Sequence, residues 1–319
     1  MAPHSLSGMV TPLPTTLAQL LSTSDVVLLD GAMATELEKH GVDTSSALWS
    51  SVAMDSDPGA IRAVHRSYLD AGSRVLVTNS YQACPDDFVA AGWERPDADK
   101  LVCDSARLAL ESVREWSTSG QDPVVVAGSI GPYGAHLADG SEYTGNYRLD
   151  EEGYRAFHRP RIRLLHEASI RSFGIETQPR LDEVLAVLGL LRDEFAGTEA
   201  FVSFSLGDAG HLPDGTVLAD AARAVTEFSS VVAVGVNCVP RGWVTDALTA
   251  LHEATDLPLL AYPNSGEVYD PTTKTWSPGP DQDQQAALVP QWIQAGARLL
   301  GGCCRTSPST ITELAQLTA

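Results

Sequence analysis

Eight short apolar runs alternate with helical segments along the chain, and this alternation most constrains the fold. The runs are four to six residues long and rich in Val, Leu and Ile: Val26–Asp30, Arg74–Thr78, Val124–Gly128, Phe173–Glu176, Phe201–Ser205, Val232–Asn237, Pro258–Tyr262 and Ala297–Gly301. Continuous apolar runs of this length are typical of strands buried on both faces of a parallel sheet. A strand followed by a helix, repeated eight times, predicts an α/β fold, a single (β/α)8 TIM barrel.

The segments between the runs show the periodicity of amphipathic helices, for example over Ile61–Leu69. Helix starts are also marked, since Asp57 offers a capping side chain directly before Pro58 at the first helical position. The helix expected over Asp150–Ala168 contains Pro160, which we expect to kink or divide it.

The domain organisation follows from length and composition. With 319 residues the chain is long enough for one barrel, which needs about 250. No linker, repeat or low-complexity tract divides it, so we expect a catalytic domain over 25–319 and a lead segment over 1–24. The Leu17–Leu21 part of that lead is predicted to be a helix that closes the bottom of the barrel. A doubly wound open sheet is the alternative, but no G-x-G-x-x-G follows the first run, which weakens a dinucleotide-binding version.

Charge and cysteine content exclude several classes of protein. The chain carries 21 Lys and Arg against 41 Asp and Glu, a net charge of −20, which argues against a nucleic-acid partner. No apolar stretch approaches the ~20 residues of a membrane span, so no membrane partner is expected. The first 16 residues lack the pattern of a signal peptide, which makes the cytoplasm the default compartment. Five cysteines, an odd and low number, do not form a disulfide framework.

Polar residues follow the apolar runs at their carboxyl ends, where a barrel carries its chemistry. All eight runs show this feature, in order through Asp30, Asn79 and Ser80, Ser129, Glu176, Ser203 and Ser205, Asn237 and Cys238, Tyr262 and Asn264, and Cys303 to Arg305. A single polar residue at a strand end could be a turn or a cap. Eight of them predict a functional site at this rim.

Three of the cysteines lie at this rim. Cys238 ends the sixth run, and Cys303 and Cys304 follow the eighth. In a barrel these two strands flank the seventh, so the three thiols are expected to converge within reach of one metal ion. Three thiolates favour Zn²⁺, and three protein ligands leave the open position of a catalytic site. Gly301 and Gly302 remove side chains where the backbone must approach the metal.

Two other interpretations of these cysteines stay open on spacing alone. They could be small buried hydrophobic residues or a redox pair of adjacent cysteines. Neighbouring Cα atoms are only about 3.8 Å apart, which is poor geometry for an unstrained disulfide. Cys84 and Cys103 show no partner pattern and are expected to be structural.

The stretch Gly301–Arg305 (GGCCR), with Gly235–Cys238 (GVNC) upstream, resembles the homocysteine S-methyltransferase family, in the branch that uses S-methylmethionine or S-adenosylmethionine. The resemblance extends from Asp25 to Ile311. Further matching stretches occur in the family's order: Asp30–Glu36, Thr78–Ala83, Ser129–Gly145, Phe157–Arg161, Glu176–Pro179, Tyr262–Glu267 and Thr273–Trp276. The family fold is a (β/α)8 barrel, which agrees with the strand count.

The resemblance implies roles for individual residues. Cys238, Cys303 and Cys304 match the zinc ligands of the family. Asp30 and Glu176 match carboxylates placed to hold the amino group of homocysteine.

Residues around these groups receive supporting roles. Asn237, with Gly301 and Gly302, is expected to support the metal loop. The residues expected to line the substrate pocket are Asn79, Ser80 and Tyr81, with Tyr262 and Asn264 as further members. Tyr81, Tyr143, Trp49 and Trp276 are aromatic candidates for contact with a cationic donor, with core packing as the alternative for each.

The chain departs from the family pattern near the fourth run, at Ser169, Arg171 and Gln178. These departures leave the expected ligands in place, but they affect the strand-four loop and could alter the donor preference.

The implied reaction is zinc-dependent methyl transfer from a sulfonium donor, S-methylmethionine or S-adenosylmethionine, to the thiol of L-homocysteine, giving methionine. Zn²⁺ is the expected cofactor, and homocysteine and the donor are the expected partners. The alternatives are another donor or acceptor, such as betaine or a selenol, and a non-catalytic zinc- or thiol-binding protein. A cobalamin- or folate-dependent methionine synthase would need further domains, for which the chain is too short.

Overall fold

The computed structural model describes residues 16–46, 48–117, 123–270, 275–277 and 285–318. Its strands, in chain order, are β1 (Val27–Leu28), β2 (Val75–Val77), β3 (Val125–Ile130), β4 (Ser172–Gln178), β5 (Glu199–Phe204), β6 (Val231–Asn237), β7 (Leu259–Tyr262), β8 (Val268–Asp270), β9 (Thr275–Ser277) and β10 (Ala297–Leu300). Strands β8 and β9 pair with each other as an antiparallel hairpin that the sequence analysis did not predict. The other eight form one parallel sheet in the order β1-β10-β7-β6-β5-β4-β3-β2.

The two ends of this sheet meet and close it into a barrel. Leu29, just after β1, forms a parallel bridge with Val75 of β2. Around it, the Arg74 amide donates to the Leu28 carbonyl at 2.7 Å and the Asp30 amide donates to the Val75 carbonyl at 3.0 Å. Each of the eight apolar runs overlaps one barrel strand, so the predicted (β/α)8 barrel is confirmed and the open doubly wound sheet is excluded.

Helices lie between the strands of the barrel. The helices described are α1 (Leu17–Thr23), α2 (Met33–Lys39), α3 (Ala53–Ser56), α4 (Pro58–Ala71), α5 (Pro85–Ala90), α6 (Arg95–Trp116), α7 (Tyr133–Leu137), α8 (Ser141–Thr144), α9 (Glu151–Glu167), α10 (Leu181–Glu194), α11 (Leu218–Thr226), α12 (Arg241–His252), α13 (Gln285–Gln294) and α14 (Pro308–Leu317), with a 3-10 turn at Trp49–Val52. Among these described segments, none is long and apolar enough to cross a membrane.

Local signals explain most of these boundaries, with one exception. The Asp57 carboxylate accepts the Ala60 amide at 2.9 Å and so caps α4 as predicted. Pro160, in contrast, does not divide α9, which runs unbroken from Glu151 to Glu167. The missing amide of Pro160 removes one helical hydrogen bond, and burial of the apolar face of α9, including Ile162 and Leu165, keeps the helix continuous.

Helix α1 lies at the amino-terminal end of the barrel strands. Its three leucines are buried in the barrel interior, against residues such as Val27, Phe201 and Leu299. The Leu17 and Ala18 amides at the start of α1 both donate to the Glu199 carboxylate at the start of β5, at 2.5 and 3.1 Å. A carboxylate is favourable at a helix amino terminus. This helix therefore fills one end of the barrel, and the carboxyl ends of the strands form the opposite rim.

Candidate active site

Three cysteines meet at the carboxyl-terminal rim of the barrel. Cys238 directly follows β6, and Cys303 and Cys304 lie beyond β10. Their Sγ atoms all lie within 4.8 Å of one another, and those of Cys238 and Cys304 are 3.5 Å apart. The predicted convergence across strand β7 is therefore present in the structure. All five cysteines have free thiols, and Cys84 and Cys103 lie outside this cluster.

The cysteine cluster fits a tetrahedral metal ion in both spacing and charge. Zinc–sulfur bonds of about 2.3 Å at tetrahedral angles place two sulfurs about 3.8 Å apart, close to the spacing found here. Hydrogen bonds from Cys238 and Cys303 lower the pKa of Cys304 well below that of an ordinary thiol. Hydrogen bonds with Cys238 and Cys304 raise the pKa of Cys303, and burial adds to the effect. A cation among the sulfurs is what would hold all three as thiolates.

The loop after β7 fixes the two halves of the cluster relative to each other. The Cys238 amide donates to the Tyr262 carbonyl at 3.2 Å, and the Cys303 amide donates to the Pro263 carbonyl at 2.9 Å. The Asn264 side-chain oxygen accepts the Cys304 amide at 3.2 Å. Asn264, predicted as a possible pocket residue, therefore contacts the backbone of the cysteine loop.

Asn237 joins the ends of strands β4 and β6. Its Oδ1 accepts the Thr177 amide at 2.7 Å, and its Nδ2 donates to the Thr177 hydroxyl at 2.8 Å and lies 3.9 Å from the Cys303 sulfur. Thr177 and Cys238 both have left-handed backbone conformations, with φ of 58° and 54°. Such conformations are costly outside glycine and persist only where surrounding contacts hold them. The Asn237 side chain supplies such contacts for Thr177, and the Tyr262 carbonyl, which accepts from the Cys238 amide, supplies one for Cys238.

We expect Asn237→Ala to weaken binding of Zn²⁺ by about 10- to 100-fold, the range typical of losing a residue that orients a metal ligand. The reason is that the Asn237 side chain links Thr177 to the Cys303 sulfur, and the variant loses this link. Competition with a chromophoric chelator measures the affinity. Thr177→Val, which removes the same hydroxyl but keeps the side-chain shape, should weaken binding, whereas Thr177→Ser should not. Unchanged affinity in Asn237→Ala would contradict this role.

The two carboxylates predicted to hold the acceptor lie on the same rim. Asp30 follows β1 and accepts the Val77 amide at 2.9 Å. Glu176, near the end of β4, accepts hydrogen bonds from the Ser129 hydroxyl and from the Tyr262 hydroxyl, the latter at 3.0 Å. Both carboxylates are buried, so both are positioned by the barrel itself.

Burial dominates the electrostatic environment of these two carboxylates. Burial, with a smaller contribution from charge on Cys238, raises the pKa of Glu176 to about 7, although the hydrogen bonds from Ser129 and Tyr262 and the charge of Arg161 act to lower it. Burial also raises the pKa of Asp30, and the charge of Glu176 adds to this effect. The two acids therefore share one electrostatic environment, where a ligand that carries a positive charge is stabilised.

The residues predicted at the end of β2 are engaged within the protein. The Asn79 amide group bonds both the hydroxyl and the carbonyl of Ser50, at 2.7 and 2.8 Å. The Ser80 hydroxyl donates to the Ser129 carbonyl at 2.9 Å. Tyr81 is half-buried, with its ring edge-on to Trp49 at 6.1 Å. Asn79 and Ser80 thus shape the rim, while Tyr81 retains a partly open surface.

The glycines before the cysteines permit close backbone packing. A Cβ on Gly301 would lie 2.8 Å from the Leu29 Cβ and 2.9 Å from the Asp30 carbonyl oxygen. A Cβ on Gly302 would lie 2.6 Å from the Thr306 Cβ. Gly301 therefore packs against the end of β1 that carries Asp30. Gly302 packs against the turn that follows the cysteines.

The departures from the family pattern near β4 are accommodated locally. The Arg171 guanidinium donates to the His166 carbonyl at 2.8 Å and the Ile170 carbonyl at 2.7 Å, near the carboxyl end of α9. A cation is favourable at this end of a helix. Gln178 is buried and donates to the Ile130 carbonyl at 3.2 Å, and Ser169 adopts a left-handed conformation.

A buried polar network beneath the rim was missed by the sequence analysis. Arg161, on α9, donates to the Gly131 carbonyl at 2.8 Å and to the Tyr81 carbonyl at 2.5 Å. His158 lies between Arg161 and Glu183, at 2.9 and 2.8 Å. The network holds the loops after β2 and β3. The only sequence signal was the stretch Phe157–Arg161, quoted above without a role.

Comparison with known proteins decides the family. The sequence model described as Homocysteine S-methyltransferase matches residues 27–318. The chain belongs to the homocysteine S-methyltransferase family. This methyltransferase is 44% identical over 301 residues to the homocysteine S-methyltransferase of Escherichia coli strain K12, covering 93% of this chain and 97% of that protein. It is 42% identical over 301 residues to homocysteine S-methyltransferase YbgG of Bacillus subtilis strain 168, covering 93% and 95% of the two proteins.

A solved structure agrees with the fold of this methyltransferase. The crystal structure of the metallated form of the homocysteine methyltransferase MmuM from Escherichia coli matches with a TM-score of 0.83 and 42% identity. The match covers 93% of this chain and 98% of that one. The family, the barrel and the methyltransferase class predicted from the sequence are thus confirmed.

Proposed function

We propose that this methyltransferase transfers a methyl group from a sulfonium donor, S-methylmethionine or S-adenosylmethionine, to the thiol of L-homocysteine, forming methionine with the help of zinc. One observation supports this function most strongly. The three clustered thiols lie on the same rim of the barrel as the buried carboxylates Asp30 and Glu176. A thiol-binding group and an ammonium-binding group are the two recognition elements that an amino-acid thiol requires.

The cysteine cluster is the proposed zinc site. Cys238, Cys303 and Cys304 would hold the ion, since three sulfur ligands suit zinc and three protein ligands are typical of its catalytic sites. The bound ion would keep the sulfur of the acceptor deprotonated at neutral pH, where a free thiol with a pKa of about 8.5 is mostly protonated. The solved structure of MmuM, 42% identical to this chain, is of a metallated form, which supports a bound metal in this chain. The reduced thiols also favour a cytoplasmic location.

The chain's own residues then orient the acceptor. Asp30 and Glu176 are proposed to hold its ammonium group, since burial raises the pKa of both carboxylates and a bound cation would favour their ionised forms. Ser129 and Tyr262 fix the Glu176 carboxylate from two sides. An acceptor held at both its sulfur and its nitrogen has little freedom left. This pre-orientation is a large part of the rate acceleration available to a reaction between two bound substrates.

The transfer itself needs no general acid. The acceptor sulfur forms a bond to the methyl carbon while the carbon–sulfur bond of the donor breaks, and the donor leaves as a neutral thioether. The acceptor's proton passes to solvent when the thiolate forms. Residues 25–319 are proposed to form the domain that carries out this reaction.

An anaerobic assay with quantified zinc tests the proposal. Homocysteine is the acceptor, and S-methylmethionine, S-adenosylmethionine and betaine are compared as donors, with a selenol acceptor in a separate arm. We expect about one zinc per chain, as in mononuclear catalytic sites, and turnover with a sulfonium donor only. Full activity after stringent zinc removal would overturn the zinc assignment. Zinc binding without turnover for any acceptor would show a non-catalytic protein.

A further inference from the structure

The short helix α8 covers part of the rim close to the cysteine cluster. It lies between Gly140 and Gly145, both left-handed, with φ of 84° and 62°. The Ser205 hydroxyl, just after β5, donates to the Glu142 carbonyl at 3.2 Å. The Gly145 carbonyl accepts from the Arg180 guanidinium, also at 3.2 Å. The segment is therefore attached to the barrel from both β5 and the loop after β4.

Tyr143 of α8 reaches from the surface to the cysteines. Its hydroxyl lies 3.5 Å from the Cys238 sulfur, although 47% of the residue is exposed. The acceptor is proposed to extend from the cluster towards Asp30 and Glu176. A methyl donor must therefore approach the same sulfur from the solvent side, where the Tyr143 ring stands.

The carboxylate of Glu142, next to Tyr143, has one oxygen without a hydrogen-bond partner and forms no ion pair with the described residues. Its Oε2 atom is buried and has no hydrogen-bond partner in the described part of the chain. No ion pair of Glu142 occurs among those same residues. The charge of Cys238 raises the pKa of Glu142 in addition to burial, and Glu142 in turn raises that of Tyr81. The carboxylate therefore shares its surroundings with Cys238 and Tyr81.

A buried carboxylate oxygen without a partner is costly, and a bound cation would offset that cost. An aromatic ring beside it offers a second favourable contact, since methylated cations bind to ring faces. We propose that Glu142 and Tyr143 form the subsite for the sulfonium group of the methyl donor. This inference rests on the proposed function and assigns the donor side of the same site.

The subsite would also discriminate donor from product. The sulfonium charge is lost when the methyl group leaves, so the thioether product keeps neither the attraction to Glu142 nor the contact of a cation with the Tyr143 ring. S-Methylmethionine and methionine differ in this charge and in one methyl group, while both carry an ammonium group. Comparing their binding therefore separates recognition of the sulfonium from recognition of the ammonium.

The test combines calorimetry and steady-state kinetics on the zinc-loaded enzyme. We expect Glu142→Gln to weaken S-methylmethionine binding by at least about 10-fold, because the attraction between the carboxylate and the sulfonium charge is lost. Methionine affinity, homocysteine KM and zinc content should stay unchanged. Tyr143→Ala should weaken donor binding by about 2- to 30-fold, and Tyr143→Phe should preserve it. Thr144→Ala, exposed on the same helix, is the matched control and should resemble the wild type.

Several outcomes would overturn the inference. Equal weakening of S-methylmethionine and methionine in Glu142→Gln would assign Glu142 to the ammonium. Normal donor binding in both Glu142→Gln and Tyr143→Ala, with sulfonium turnover intact in the wild type, would remove the subsite and leave the proposed function standing. Turnover with betaine alone, weakened by Glu142→Gln, would support the subsite and reject the sulfonium donor. If the wild-type enzyme binds none of these cations, both the subsite and the proposed function are contradicted.

Discussion

Replacing Cys303 with alanine is expected to remove the metal and abolish methyl transfer. The variant leaves two thiols where three now lie within 4.8 Å of one another. Two ligands bind zinc far more weakly than three, and an acceptor thiol with a pKa of about 8.5 then stays mostly protonated at pH 7. The loss should exceed the about 10- to 100-fold expected for a residue that only supports a ligand. Zinc content by mass spectrometry and methionine formation measure the two effects.

Cys103→Ser is the matched control for this variant. Cys103 is a half-buried cysteine on α6 whose sulfur contacts the Leu164 carbonyl at 3.5 Å, remote from the cluster. It should retain full zinc and full activity. Circular dichroism on both variants separates loss of metal from loss of fold. A Cys303→Ala enzyme that keeps one zinc and the wild-type rate would contradict the ligand assignment.

The barrel was predictable because its determinants are local. Each strand is encoded by a few consecutive apolar residues, and each helix by its own periodicity and caps. Parallel strands joined by helices then place all carboxyl ends on one rim. That topology alone brings Cys238 near Cys303 and Cys304, across 66 residues of sequence.

The supporting contacts of the site were not predictable in the same way. The bonds between Thr177 and Asn237 join residues 60 apart, and both side chains have ordinary alternative roles at strand ends. For Asn79 and Ser80, the position at a strand end favoured contact with the substrate. Their polar groups instead form hydrogen bonds within the protein. The sequence pattern indicates at which end of a strand a residue lies. It does not give the partner that its side chain meets.

Non-local packing also explains why Pro160 does not divide α9. The rule that proline interrupts a helix describes the local cost at Pro160. Burial of Tyr154, Ile162 and Leu165 and the buried network around Arg161 outweigh that cost.

The Trp276 side chain, one of the aromatic candidates for the donor, lies outside the part of the chain whose side chains are described.

Glu176→Gln is expected to raise the KM for homocysteine by about 10- to 150-fold, the range for losing a hydrogen bond to a charged group. The carboxylate is buried and its pKa is about 7, so in the free wild-type enzyme it becomes ionised only as the pH rises towards 7 and above. Because the ammonium of homocysteine is proposed to bind the ionised form of Glu176, kcat/KM for homocysteine should fall as the pH drops below about 7. The variant should lose this pH dependence. Initial rates between pH 5.5 and 8.5, at saturating donor, measure both effects.

The raised pKa of Glu176 also makes the folding stability of the protein depend on pH. The folded pKa of Glu176, about 7, is raised above its ordinary value of 4.5, so the stability contributed by its protonated form is fully present below about pH 4.5 and is lost as the pH rises through about 7. Glu176→Gln carries no titrating group there, so its Tm should decline less than that of the wild type over this interval. Glu227→Gln, an exposed substitution after α11, is the control and should match the wild type in both profiles. If Glu176→Gln keeps the wild-type KM and its pH dependence while only the Tm profile changes, the carboxylate is a buried structural acid and the acceptor's ammonium is held by Asp30 alone.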